Sequence, residues 1–477
     1  MSSLTGRQDI VEDLDEDLSN DLGELEAKRP KIEEVKEEIN DDKKLACFLK
    51  WCQNNKVFID YDKVKITSLT TSHNYGMVAI KDIKKDEILG RIPKSAILDP
   101  NTTQIRDLIS NNSNYLKSKS NWSKLIVSIM HEANNPNSHW REYLECFPNY
   151  DLFDLPMFWE TSQLKSLLEN TCIPKNVMID LENMKNEYQN MILPFLEKNK
   201  QYFDEKCFSF EYYKKIVGFI MAYSFRDPEE DPDDPNAVGP MMVPVADILN
   251  HIAKNNAQLR FKKEEFLIVS VKEIKKDEEV FNTYGEHSNS DLLHMYGFVE
   301  IFPHNIYDAV EIPTKCFFEA FRKEKIDPTE VATKKIETLL ELELIDRSSS
   351  IIIGHDGILN EEECLHIFQI YSMPVGDFSE FLENNCELLC DEEWDSYSLL
   401  NENIHKIPID WKDLIRDTCK LHTDNLNATL EKLKSTNPET DGDENMKRKN
   451  EQRLNLAQTL IDGQLKLIHN FITCLDK

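Results

Sequence analysis

Apolar residues along this chain recur with a period of two in some stretches and near 3.6 in others, and the switches divide it. Up to about Asp42 there is little pattern at all. The stretch is rich in Asp and Glu and has no aromatic residue before Phe48, so residues 1–42 are expected to be a disordered acidic tail. Leu45, Cys47, Phe48, Leu49 and Trp51 suggest a short helix, and β-type runs follow at Val64–Leu69, Met77–Ile80 and Ile88–Ile92. From about Pro100 to Phe225 the period lengthens. Trp122, Leu125, Ile126, Ile129 and Met130 share one helical face, as do Tyr212, Ile216, Phe219, Ile220 and Tyr223. A loop dense in Pro and Asp, Arg226 to Pro240, closes this block. Strands return at Leu259–Phe261 and Phe266–Val271, flanking the polar Lys262–Glu265 as a hairpin, and again at Val280–Thr283. From about Ile336 the pattern is helical almost to the end. The polar stretch Ser435–Asn445 interrupts it, and Lys447–Leu475 reads as one long helix.

An internal echo ties the two β-type regions together. Asp82-Ile83-Lys84-Lys85-Asp86-Glu87 is matched by Glu273-Ile274-Lys275-Lys276-Asp277-Glu278, each between two β-type runs. The interval is far too long for a solenoid repeat. It predicts two similar strand–turn–strand units bracketing the helical block, in one sheet domain split by an insertion.

Composition narrows the class. At 40% hydrophobic and 30% charged residues the 477-residue chain suits two or three globular domains with flexible flanks. No apolar run approaches the ~20 residues that a membrane helix needs, and the acidic N-terminus reads as neither a signal nor a transit peptide. A net charge of −31 disfavours direct binding to nucleic acid or anionic membranes and favours a basic protein partner, with plain solubility as the blander reading. The eleven cysteines form no C-x-x-C pair, and Cys386 with Cys390 reads as two small buried side chains. All are expected to be reduced thiols, with no metal site. Lys28-Arg29-Pro30-Lys31 is either a nuclear import signal or a chance basic island.

Three clusters could carry chemistry. Ser72-His73-Asn74-Tyr75-Gly76-Met77 puts a glycine before a strand, where backbone can approach a ligand or simply turn. Val245-Ala246-Asp247-Ile248-Leu249-Asn250-His251 delivers Asn and His at the end of an apolar run; a helix C-terminus capped by those side chains would look the same. Val280 to Gly285 and Leu292 to Phe298 contain two tyrosines, Tyr284 and Tyr296, each followed by glycine. Taken singly, each cluster has a packing explanation.

Taken together and in this order, the three clusters resemble the SET-domain methyltransferases, and more narrowly the branch related to plant Rubisco large-subunit methyltransferase. The matching stretches are Tyr75–Pro93, Met221–Phe225, Val243–Asn256 and Glu279–Glu300. The resemblance implies an α+β fold: a β-rich SET domain over about 43–302, split by a helical insertion at about 100–225, then an all-helical substrate-binding domain over 303–477 with helices mainly from about 336. It implies S-adenosyl-L-methionine as methyl donor, S-adenosyl-L-homocysteine as product and no metal. Asn74, Tyr75 and Gly76 fall at the family's Gly-x-Gly loop, with Asn replacing the first glycine. Asn250 and His251 match the pair that holds the cofactor, and Tyr223 and Tyr296 match positions beside it. Tyr284 matches the active-site tyrosine, and Tyr296 a second tyrosine near the lysine channel. Ser224, Arg226 and Trp122 fall on the substrate side.

The implied activity is methylation of a lysine side chain on a non-histone or histone-variant protein, with monomethylation expected and a basic lysine-containing segment as partner. A monomer in the nucleus, with the cytoplasm as a second location, is expected. Two rival readings stand beside this one: methylation of histidine, and a catalytically silent SET-fold adaptor that binds proteins through its helical domain.

Overall fold

In the computed structural model, the residues described are 38–68, 75–117, 122–146, 154–228, 239–323, 329–345, 349–383, 397–435 and 444–477. The acidic tail before 38, Asn74, the cysteines at 386 and 390 and most of the Pro-rich loop lie outside them.

A first helix, α1 (Glu38–Asn54), begins before the boundary at 43 and packs Phe48 and Trp51 into the core. The β-type runs become β1 (Phe58–Ile59), β2 (Val64–Thr67), β3 (Gly76–Ala79) and β4 (Ile88–Pro93). After the insertion come β5 (Ser224–Phe225), β6 (Met241–Met242), β7 (Ala257–Phe261), β8 (Glu265–Ser270) and β9 (Glu279–Val280). Two antiparallel sheets interleave strands from both sides: β1-β4-β8-β7 and β2-β3-β9. The expected strand at Val280–Thr283 is therefore shorter and ends at Val280. In β4, Gly90 faces β8 so closely that a Cβ there would lie 3.1 Å from the Ile268 side chain.

The repeated turns meet face to face. Ile83 and Ile274 exchange backbone hydrogen bonds of 2.8 and 2.9 Å. Asp86 N–H donates to the Ser270 carbonyl, and at the equivalent place Asp277 N–H donates to Ala79. Both aspartates are left-handed, with φ of 65° and 70°, a conformation that Asp tolerates better than most residues. The echo thus records a local pseudo-twofold pairing that brings the two halves of the split domain together.

The insertion is helical: α2 (Arg106–Asn111), α3 (Trp122–Glu132), α4 (Arg141–Cys146), α5 (Thr161–Leu167), α6 (Ile173–Glu187), α7 (Leu193–Lys198) and α8 (Phe210–Tyr223). Leu125, Ile126, Ile129 and Met130 of α3 and Ile216, Phe219 and Ile220 of α8 are fully buried, and the two helices pack on each other. Helix α8 runs straight into β5, so the insertion delivers its last residues to the SET sheets.

Helix α9 (Asn289–Tyr296) has its start and stop written locally. Ser288 and Asp291 form a reciprocal capping box, and Gly297 ends the helix at φ 80° in the left-handed region. Beyond it, the C-terminal region is mainly helical, with α10 (Thr314–Lys323), α11 (Thr329–Glu341), α12 (Glu361–Ser372), α13 (Val375–Glu383), α14 (Ile409–Ser435) and α15 (Glu444–Leu475). It departs from expectation in two respects. β10 (Ala309–Pro313), β11 (Ser350–Gly354) and β12 (Gly357–Ile358) form an antiparallel sheet, and helices start earlier than about 336, with α10 wholly before Ile336 and α11 containing it. Helix α15 buries Leu454, Ala457, Leu460, Ile461, Gln464, Leu467, Ile468 and Phe471 at helical spacing against α14, β10 and β11.

Candidate active site

The segment from Val243 to His251 is neither a strand nor a helix end. It turns once through Ala246–Ile248 after Val245, which has φ 77°, and then runs extended. Its exit pairs in parallel with the segment after β9. Asn282 N–H donates to the Asn250 carbonyl at 2.8 Å, and Ile252 N–H to the Asn282 carbonyl at 3.2 Å. The helix-capping reading of Asn250 and His251 is thereby excluded. Asn250 Nδ2 instead donates to Glu279 Oε1 at 2.5 Å. His251 Nδ1 accepts the Tyr284 backbone N–H at 2.9 Å.

Tyr284 is held at both ends by this segment, because its hydroxyl donates to the Leu249 carbonyl at 3.1 Å. Around it the rings gather. The His251 ring centroid lies 5.1 Å away, Tyr296 4.8 Å and Phe298 6.3 Å. Tyr296, the last residue of α9, also lies 5.8 Å from His287, whose Nε2 contacts the Tyr284 carbonyl. Gly285 between them has φ 129°, and a Cβ there would strike the His287 ring at 2.9 Å, so only glycine fits. Tyr284, Tyr296, Phe298 and Tyr223 each keep part of their surface exposed, as a lined opening requires and a closed core does not.

Burial, reinforced by Tyr223, Tyr296, Asp247 and Glu279, pushes the Tyr284 phenol far above its ordinary value. The residue as a whole is partly exposed while its hydroxyl is desolvated. Burial also raises Tyr296, to about 12, and lowers His287. At neutral pH both phenols are protonated, and His287 is a weaker base than a free imidazole.

Of the remaining sequence candidates, Tyr75 and Gly76 stand at the start of β3, whose partner β9 carries Glu279. Tyr223 ends α8, Ser224 pairs with Met242 across β5–β6, and Arg226 follows directly. Trp122 sits at the start of α3, which packs on α8. Sequence reasoning missed Glu279, Phe298, Glu300 and the Leu249 carbonyl. Phe298 carried a local signal, lying just past the Gly297 cap, but the carboxylates and the carbonyl carried none.

A cluster of partly exposed aromatic rings, beside two passes of chain paired in parallel between split antiparallel sheets, defines the SET class of proteins. The model of the SET domain family matches residues 74–285. The chain belongs to the SET-domain N-lysine methyltransferases. It is 36% identical over 405 residues to N-lysine methyltransferase setd6 of Xenopus tropicalis, covering 83% of this chain and 88% of that one. To N-lysine methyltransferase SETD6 of Homo sapiens it is 32% identical over 424 residues, covering 83% of this chain and 89% of the relative. The fold is also that of the SET domain of LSMT bound to lysine and AdoHcy, with a TM-score of 0.59 at 20% identity over 91% of each chain. Rubisco LSMT bound to AdoMet aligns with a TM-score of 0.58, also at 20% identity.

Proposed function

We propose that this chain transfers the methyl group of S-adenosylmethionine to a lysine side chain of a protein, with Tyr284 at the point of transfer. The observation that carries the residue-level reading is the double anchoring of Tyr284, backbone to His251 and hydroxyl to Leu249, within a wall of rings. It is an S-adenosylmethionine-dependent enzyme, and the residues present suit that donor. Both the donor's amino group and its sulfonium are cationic. The Asn250 amide donates to Glu279, so an amide and a carboxylate stand side by side, and the oxygens of both suit a cation. Tyr284, Tyr296 and Phe298 offer ring faces, which also favour cations.

Bound S-adenosylmethionine supplies an electrophilic methyl on a charged sulfur. The chain's own residues do the rest. A free lysine amine has a pKa of ~10.4 and must lose its proton before attack. Burial between aromatic walls and a nearby positive charge both lower that value. Water in the opening can carry the proton off, so the lack of a strong base among these side chains is consistent with the chemistry. Tyr284 cannot be the base, because its phenol stays protonated. Its hydroxyl hydrogen is aimed at the Leu249 carbonyl, which leaves the oxygen's lone pairs and the ring to align amine and methyl. Tyr296 is proposed to hold the amine or a water beside it, and to limit how many methyl groups are added; monomethylation is the outcome this implies.

Asn250, His251, Tyr75, Gly76 and Tyr223 are proposed to contact the methyl donor, and Ser224, Arg226 and, more remotely, Trp122 the protein substrate. The C-terminal helices, with net charge −31 on the whole chain, favour a basic segment around the target lysine. Incubating the purified chain with S-adenosylmethionine labelled on its methyl group and a nuclear or cytoplasmic extract tests this. Label on protein lysine is the expected result. Label confined to histidine would support the histidine reading, and donor binding by calorimetry without transfer to any extract would support the silent adaptor.

A further inference from the structure

Behind the aromatic wall, on the side of His251 away from Tyr284, lies a carboxylate that the mechanism above does not use. Nε2 of His251 approaches Glu300 Oε1 at 3.1 Å, bent off the ideal N–H line, and no better-aligned partner reaches it among the described residues. The His251 side chain is 1% exposed and that of Glu300 12%. The same Oε1 accepts the Ala253 backbone N–H at 2.8 Å. Glu300 is itself fixed: its N–H donates to Asn289 Oδ1 at 2.9 Å, and its carbonyl accepts from Asn289 Nδ2 at 2.9 Å. Asn289 Nδ2 also donates to Asp308 Oδ2, and Asp308 directly precedes β10.

These contacts decide where the imidazole proton sits. Nδ1 accepts the Tyr284 N–H, so it carries no hydrogen. The proton of the neutral ring is on Nε2, facing Glu300. Moving the proton to Nδ1 would set an N–H against the Tyr284 N–H and leave the Nε2 lone pair against a carboxylate, and turning the ring over would put carbon where each nitrogen now stands. We infer that Glu300 is a positioning residue for methyl transfer: it locks the tautomer and orientation of His251, and through His251 the backbone of Tyr284. Asn250 is held separately, by Glu279, so its proposed contact with the donor does not depend on Glu300. This rests on the proposed role of Tyr284.

The test has two arms. The first leaves Glu300 unchanged. In nitrogen-detected NMR of the full chain, with the His251 signals assigned by their loss in His251→Gln, Nε2 is expected to carry the proton and Nδ1 none. A proton on Nδ1 overturns the inference. The second compares Glu300→Gln, whose side-chain oxygen still reaches both N–H groups, with Glu300→Asp, which keeps the charge but shortens the arm, and with Glu300→Ala. The kcat is expected to fall by about ten- to a hundredfold in Glu300→Ala and Glu300→Asp and to stay within about threefold of the parent in Glu300→Gln. The dissociation constant for S-adenosylmethionine, which His251 supports only in part, is expected to rise by less than kcat falls in Glu300→Ala and Glu300→Asp and to stay within about threefold of the parent in Glu300→Gln. A parental kcat in Glu300→Asp, or a Glu300→Gln as slow as Glu300→Asp, overturns it. If Glu300→Ala does not fold, the Gln–Asp pair still decides. A parental rate in Tyr284→Phe would instead remove the reading on which the inference rests, while the NMR result would stand.

Discussion

The surroundings of Tyr284 and the helical pack around Trp411 are both rich in aromatic rings, yet they are built differently. Around Tyr284 the aromatic residues stay partly exposed, and polar partners surround them: His251 and the Leu249 carbonyl on Tyr284, Glu300 behind His251 and Glu279 on Asn250. Around Trp411 the rings are closed off. Trp411, Phe368, Phe321 and Tyr371 are 2% exposed or less, and the Phe368 and Trp411 rings stack at 5.0 Å. The first arrangement gives up buried apolar area for aimed hydrogen bonds, which align reacting groups. The second gains stability from area and has little to aim. A substitution should therefore show its effect in rate at the first place and in stability at the second.

The largest effect expected is at Trp411. Trp411→Ala empties a dry site and also leaves the Ser372 hydroxyl without its indole donor. It should cost about 3–5 kcal/mol in a denaturant melt. The kcat of the molecules that remain folded should stay near the parent's, and a large fall in kcat without loss of stability would erase the contrast.

His422 on α14 sharpens the same point through pH. It is 1% exposed, and burial lowers its pKa from 6.5 to about 4. A depressed folded-state value means the unfolded chain takes up the proton first. The neutral ring's full contribution is present above pH 6.5 and is lost as pH falls from there toward 4. The loss should reach at most roughly 3 kcal/mol. His422→Leu should flatten that part of the stability–pH curve, and a curve with unchanged slope would show that His422 titrates normally.

Asn250 tests the other region. Asn250→Ala should weaken S-adenosylmethionine binding by roughly ten- to a hundredfold, as loss of a hydrogen bond to a charged group does. Circular dichroism should stay normal. Unchanged affinity in calorimetry would leave Asn250 as a strut for Glu279 alone.

The two regions were also unequally legible in the chain. The split SET domain could be read because its evidence is local. The repeated Ile-Lys-Lys-Asp turns place Asp86 and Asp277 where left-handed backbone is needed, and Asn250, His251, Tyr284 and Tyr296 sit in short contiguous motifs. Glu279 and Glu300 could not be picked out. They act across loops without periodicity, in a chain with 87 acidic residues, where one more glutamate signals nothing. The sheet of the C-terminal region was hidden for a different reason. Ile351, Ile352 and Ile353 form a short continuous apolar run, which fits a buried strand or a helix face equally. Its partner strand, Ala309–Pro313, lies on the far side of two helices.

The central claim is that Tyr284 aligns the transfer rather than merely filling space, and Tyr284→Phe tests it most directly. The ring remains, so packing against His251 and Tyr296 is kept, and only the hydroxyl bonded to the Leu249 carbonyl is lost. Single-turnover methylation and a thermal melt should be run on the same preparation, with Tyr296→Phe alongside. The rate of Tyr284→Phe is expected to fall by about a hundredfold, with donor affinity nearly intact and stability lowered by no more than ~1 kcal/mol. Tyr296→Phe is expected to slow less and to change the number of methyl groups added. A parental rate in Tyr284→Phe, with or without a loss of stability, would contradict the account.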